Sequence, residues 1–130
     1  MEKPATIQTV LDYIEDNVEA RLDSDTLAEI GFLSKSHFFK LFTLLTGYTP
    51  MNYVLRRKLH HAAKRMITNK DKIVDISFQF GFESHDVFSR SFKRIYGITP
   101  ESYRKRGYTL NEMKKLSSKK QAKEKISWWM

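Results

Sequence analysis

The sequence contains no cysteine, which excludes a disulfide framework and a thiolate-bound metal. No apolar run approaches the roughly 18 residues that a membrane span needs. The start, Met1-Glu2-Lys3-Pro4, lacks the basic-then-apolar order of a secretory signal. These absences lead to the expectation of a cytoplasmic protein without a membrane partner. The sequence also has no phosphate loop, no nucleophile elbow and no spaced zinc ligands. Its four histidines are His37, His60, His61 and His85. The adjacent pair projects about 100° apart on a helix and cannot share a metal. No catalytic residue, no metal and no cofactor is expected. No strand-like alternation of apolar and polar residues is seen.

The 130 residues suit one domain, with or without a tail. With 41% hydrophobic residues and nine Phe, the chain has enough apolar material for a core. The formal net charge is +8, which implies a polyanionic partner. The charge is unevenly distributed. Before residue 32, Glu2, Glu15, Asp16, Glu19, Asp23, Asp25 and Glu29 outnumber Lys3 and Arg21. Residues 34–70 carry no acid, but hold Lys35, Lys40, Arg56, Arg57, Lys58, Lys64, Arg65 and Lys70. A solvated helix face is the competing explanation of such a stretch. A helical adaptor for acidic proteins is another, although it leaves the repeated outer faces described below unexplained.

Ile7, Val10, Leu11, Ile14 and Val18 have helical spacing, which predicts an amphipathic helix over about 5–20. A short helix follows near 25–31, capped by Ser24 or Asp25 and ended by Gly31 in the left-handed conformation. Ser34 opens a third helix that reaches about Thr46 and stops at Gly47. Thr49-Pro50 opens a fourth, to about Thr68, with Leu55, Leu59, Ala62, Met66 and Ile67 as its buried stripe. Three more helices are expected over about 73–80, 84–96 and 100–106.

The later helices repeat the earlier ones. At an offset of 50, Ser34, Phe38, Phe42, Gly47, Thr49-Pro50, Tyr53 and Arg56 match Ser84, Phe88, Phe92, Gly97, Thr99-Pro100, Tyr103 and Arg106. Lys40 pairs with Arg90. Leu27-Ala28 aligns with Ile76-Ser77 at an offset of 49, so one loop is a residue longer. In each unit the long helix turns Phe inward and polar residues outward. Ser36, Lys40 and Thr43 are outward in the first, with Phe39 on the flank. Asp86, Ser89, Arg90 and Lys93 are outward in the second. A major groove admits one helix and offers base-edge donors and acceptors to such a face. Arg90 can take guanine O6 and N7 together, or pair with Asp86 one turn earlier. Lys40 suits a base or a phosphate. Phe39 suits a thymine methyl group or the edge of the core. His85 suits a base, a phosphate or plain solvent.

The stretch Gly81-Phe82-Glu83-Ser84, Phe88-Ser89-Arg90-Ser91-Phe92-Lys93 and Gly97-Ile98-Thr99-Pro100-Glu101-Ser102-Tyr103-Arg104 resembles the C-terminal signature of the AraC/XylS family of bacterial transcription regulators. Leu27-Ala28, Ser34-Lys35-Ser36-His37-Phe38 and Leu41-Phe42 are similar to that family's first helix-turn-helix. The resemblance covers roughly 5–106. It implies an all-α fold of about seven helices, with two helix-turn-helix subdomains joined by a long linker helix. It further implies sequence-specific binding of double-stranded DNA, with helices at about 35–46 and 85–96 in successive major grooves. The expected layout is 5–48, 49–69 and 70–107 within a domain over 1–107, then a basic tail over 108–130.

By the same resemblance the base-reading positions are Ser36, Phe39, Lys40, His85, Asp86 and Arg90. Phosphate contacts are expected from Lys35, Arg56, Ser84, Ser89 and Lys93, and from helix N-termini. Stand-alone activators of the family place larger or amide side chains where Ser36 and Phe39 stand, and Asp86 is acidic toward a negative groove. The target sequence is therefore not transferable from them. In the tail, Thr109 and Glu112 have capping-box spacing. The six lysines from Lys114 to Lys125 fit a phosphate-binding helix or a solvated linker. Its apolar end, with Trp128 and Trp129, either docks on the domain or begins a C-terminal effector domain. RNA polymerase is the other candidate protein partner.

Overall fold

The computed structural model describes residues 5–107 and Lys115. The expected capping box at Thr109 and the rest of the tail lie outside the described residues. Seven helices occur among those described: α1 (Ala5–Asp16), α2 (Ser24–Ile30), α3 (Lys35–Thr46), α4 (Pro50–Thr68), α5 (Ile73–Gln79), α6 (His85–Tyr96) and α7 (Pro100–Arg106). No strand is present among the described residues. None of these helices is long and apolar enough to cross a membrane. The chain forms two compact units, one ending at Lys58 and the other beginning at Leu59. Helix α4 gives its first half to one unit and its second half to the other.

The first unit closes around Ile7, Val10, Leu11 and Ile14 of α1, Leu27 and Ala28 of α2, Phe38 and Phe42 of α3, and Val54 of α4. Helix α1 stops at Asp16, short of the expected end near residue 20. The Val18 and Ala20 carbonyls turn instead toward Lys58, whose Nζ donates to both at 2.6 Å. Those two bonds satisfy carbonyls that have left the helix. Helix α2 is capped by Asp23, not by Ser24 or Asp25: Asp23 Oδ1 accepts from the Thr26 amide at 2.8 Å. That bond, with the Thr26 side chain, holds the Asp23 carboxyl below its usual range. Ser34 caps α3 in the same way through the His37 amide.

The second unit packs Ala62, Ala63 and Met66 of α4 with Ile76, Phe80, Phe88, Phe92, Ile95, Tyr96 and Tyr103. The sequence repeat appears as a repeated aromatic cluster. In the first unit Phe42 lies 5.5 Å from both Phe38 and Tyr53. In the second, Phe92 lies 5.9 Å from Phe88 and 5.6 Å from Tyr103. The buried stripe of α4 differs from the expected one: Leu55 is only partly buried and Ile67 is 40% exposed, while Val54 and Ala63 are buried. A helix whose two halves serve two cores does not keep one straight stripe.

The turn between the paired helices corrects another expectation. Gly31 is right-handed, with φ −83°. The left-handed residue is Phe32, with φ 57°, and its side chain is 90% exposed. Gly31 serves close approach instead, since a Cβ there would lie 3.3 Å from Val10 Cγ2. In the second unit Gly81 is left-handed, with φ 82°. The hydrogen bonds agree: Phe32 N donates to Glu29 O and Leu33 N to Ala28 O, as Gly81 N does to Phe78 O and Phe82 N to Ser77 O. The two turns therefore correspond at the offset of 49, and Gly81 matches Phe32. Glu83 is the extra residue, inserted between the turn and the cap at Ser84.

Candidate nucleic-acid interface

Each unit holds its long helix by the inner face. Phe38 and Phe42 of α3 are buried, as are Phe88, Phe92, Ile95 and Tyr96 of α6. This fixes what each helix shows outward. On α3, Ser36 and Lys40 are exposed, and Phe39 is 48% exposed and outside the core of its unit. On α6, Asp86 and Arg90 are exposed and joined by an ion pair of 2.9 Å, one helical turn apart. The pair leaves the Arg90 side chain 73% exposed. His85 is neither free in solvent nor isolated, since its Nε2 lies 3.1 Å from Glu101 Oε1 of α7.

The residues expected at phosphates fall into two groups. Lys93 is exposed. Lys35 is exposed too and reaches Asp25 at 3.0 Å, a surface pair that solvent screens. Ser84 caps α6, its Oγ accepting from the Val87 amide at 3.1 Å. Its hydroxyl proton stays available beside a helix N-terminus. Arg56 differs from this group. It is 8% exposed, its Nε donates to Asn52 Oδ1 at 2.8 Å, and its guanidinium lies 4.9 Å from the Tyr48 ring centroid. Ser89 Oγ is buried and has no hydrogen-bond partner among the described residues. Neither the Arg56 guanidinium nor the Ser89 hydroxyl faces outward, against the expectation that both meet phosphate.

The acid-free stretch over 34–70 is likewise put to internal use. Arg57 forms a two-bonded pair with Glu15, Nη2 to Oε2 at 3.1 Å. Lys58 is buried on its two carbonyls, and burial lowers its pKa against the opposing pull of Glu19. Arg65 reaches Asp71 at 3.2 Å. Lys40, Lys64 and Lys70 remain exposed. On α6, Lys93 is followed by an exposed Arg94 that the sequence reading left unassigned. Arg104 was also missed. It donates to the carbonyls of Met66 at 3.0 Å, Asp71 at 2.6 Å and Asn69 at 3.4 Å, and so caps the C-terminal end of α4. Its place in the repeat gave no signal, because residues of the first unit make no such cap at that offset.

Comparison with known proteins bears on the family and the fold. Residues 27–106 match a family described as a helix-turn-helix domain. The multiple antibiotic resistance protein MarA of Escherichia coli (strain K12) is 32% identical over 99 residues, covering 76% of this chain and 78% of MarA. The HTH-type transcriptional regulator YbfP of Bacillus subtilis (strain 168) is 28% identical over 127 residues, covering 95% of this chain. The chain spans 41% of the length of YbfP. An AraC-type regulator structure from Chromobacterium violaceum superposes with a TM-score of 0.75 at 26% identity, covering 81% of this chain and 94% of that one. With seven helices among the described residues, its two serine-capped helices and these relatives, the chain belongs to the AraC/XylS family of helix-turn-helix transcription regulators.

Proposed function

We propose that this chain binds specific sequences in double-stranded DNA by laying α3 and α6 in successive major grooves, and regulates transcription from those sites. One observation carries the reading. The same local design occurs twice: a serine-capped helix buried on its aromatic face and exposed at its outward positions. The base-reading set is Ser36, Phe39 and Lys40 on α3, with His85, Asp86 and Arg90 on α6. The backbone set is Lys35, Ser84, Lys93 and Arg94. Arg56 and Ser89 are left out because of their burial. RNA polymerase is a candidate partner, and a C-terminal effector domain is one of the two readings of the tail. The reading gives the chain no catalysis, and its work is done on the chromosome in the bacterial cytoplasm.

Arg90 is the sharpest part of the proposal. A guanidinium that takes guanine O6 and N7 discriminates by about 1–3 kcal/mol. Selection from a random duplex pool should return a two-part motif with half-site centres about 10 base pairs apart. Repeated with Arg90→Ala, it should return the same motif with one guanine position relaxed. An unchanged motif would remove Arg90 from the base-reading set. Binding without any motif, collapsing as salt rises, would reduce the function to phosphate attraction.

A further inference from the structure

The two recognition helices carry different chemistry on their outer faces. Helix α3, Lys35–Thr46, contains no Arg, Asn or Gln. It therefore lacks the rigid guanidinium fork and the side-chain amides, and Lys40, at the place of Arg90, brings a flexible ammonium that suits guanine or a phosphate alike. Its exposed residues are Lys35, Ser36, His37, Phe39, Lys40 and Leu44, with Leu44 77% exposed. At the matching offset of 50, the neutral pair Thr43-Leu44 stands where α6 has the cations Lys93-Arg94, and Phe39 stands where α6 has Ser89. Phe39, 48% exposed and outside the core, leaves about half of its surface in water. In the major groove the one apolar feature of a base edge is the thymine C5-methyl group.

Resting on the regulator reading above, we propose a division of labour between the helices. Helix α3 selects a thymine-rich half-site through methyl contacts centred on Phe39, whereas α6 reads guanine through Arg90 and holds the backbone with Lys93 and Arg94. Ser36 and Lys40 add single hydrogen bonds to the first half-site. Phe39 is then a specificity-determining residue for one half of the target only.

The test uses the selected duplex with deoxyuridine in place of thymine, one half-site at a time. This exchange removes the methyl group and keeps the base pair. The half-sites are assigned beforehand by the position that Arg90→Ala relaxes. Uridine in the α3 half-site should weaken binding about fourfold for each contacted methyl group. In the α6 half-site it should leave affinity nearly unchanged. Phe39→Ala, at an exposed position, should fold normally and abolish the uridine effect. A selected site indifferent to uridine, or a uridine penalty that survives Phe39→Ala, overturns this division alone. Loss of all sequence selection overturns the regulator reading and the division with it.

Discussion

Phe32 and Gly81 occupy the same place in two copies of one turn, both left-handed, yet only glycine enters that region without strain. A residue with a Cβ bears about 1–2 kcal/mol there. Because the Phe32 ring is 90% exposed, little packing is lost by removing it. Phe32→Gly should therefore stabilise the protein by about 1 kcal/mol, and Gly81→Ala should destabilise it by about 1–2 kcal/mol, both read as shifts in thermal melting. Equal shifts of the same sign would contradict the strain argument. Tyr103 supplies a second test. Its ring is fully buried, its hydroxyl donates to Ala63 O at 3.2 Å, and burial pushes its pKa up to about 12. A raised folded-state pKa contributes stability that is complete below pH 10 and lost as the pH rises toward about 12. Tyr103→Phe should lower stability at pH 7 by about 1 kcal/mol and flatten that alkaline loss. Ser36, Lys40, Asp86, Arg90 and Lys93 were legible as outward because Phe at helical spacing fixes the inner face, whereas Thr43 and Ser89, also expected outward, have buried hydroxyl oxygens. The identity of the strained residue was not legible, since a neighbouring glycine looked like the natural occupant.

At the scale of elements, sequence reading recovered most local caps and stops, the α2 cap at Asp23 and its left-handed stop at Phe32 excepted. Ser34, Ser84 and Thr99 cap where hydroxyl residues precede a helix, and Gly47 and Gly97 end α3 and α6. It failed where a distant residue holds the chain at a helix end. Helix α1 stops at Asp16, and the segment after it is held by Lys58, some 40 residues away, which takes two of its carbonyls. The end of α4 is held by Arg104, 38 residues from Met66. Such charge-assisted bonds are worth about 1.5–3 kcal/mol in total effect at a helix C-terminus. Arg104→Ala should destabilise the second unit by about that much. Amide exchange should accelerate first in the last turn of α4. Uniform acceleration across the unit would mean that the contact is not a local cap.

For the molecule as a whole, net charge overstates what DNA can meet. Several cations of the acid-free stretch are engaged inside the fold, and sequence alone gave no means of separating these from the exposed ones. The two classes should separate under salt titration. Each cation that neutralises a phosphate adds about −0.9 to the slope of log affinity against log salt. Lys93→Ala should reduce the slope by about one and leave the melting temperature in place. Lys58→Met should lower the melting temperature and leave the slope alone. The reverse pattern would exchange their roles.

The extra residue at Glu83 has a bearing on how the two copies diverge. The chain before it is fixed by the turn's hydrogen bonds, and the chain after it by the Ser84 cap. Between these two locks lies a joint that takes up a change in length without disturbing either. A descent by duplication would leave its insertions and deletions at this seam. A grafted residue between Leu33 and Ser34 would then make the first copy the same length as the second.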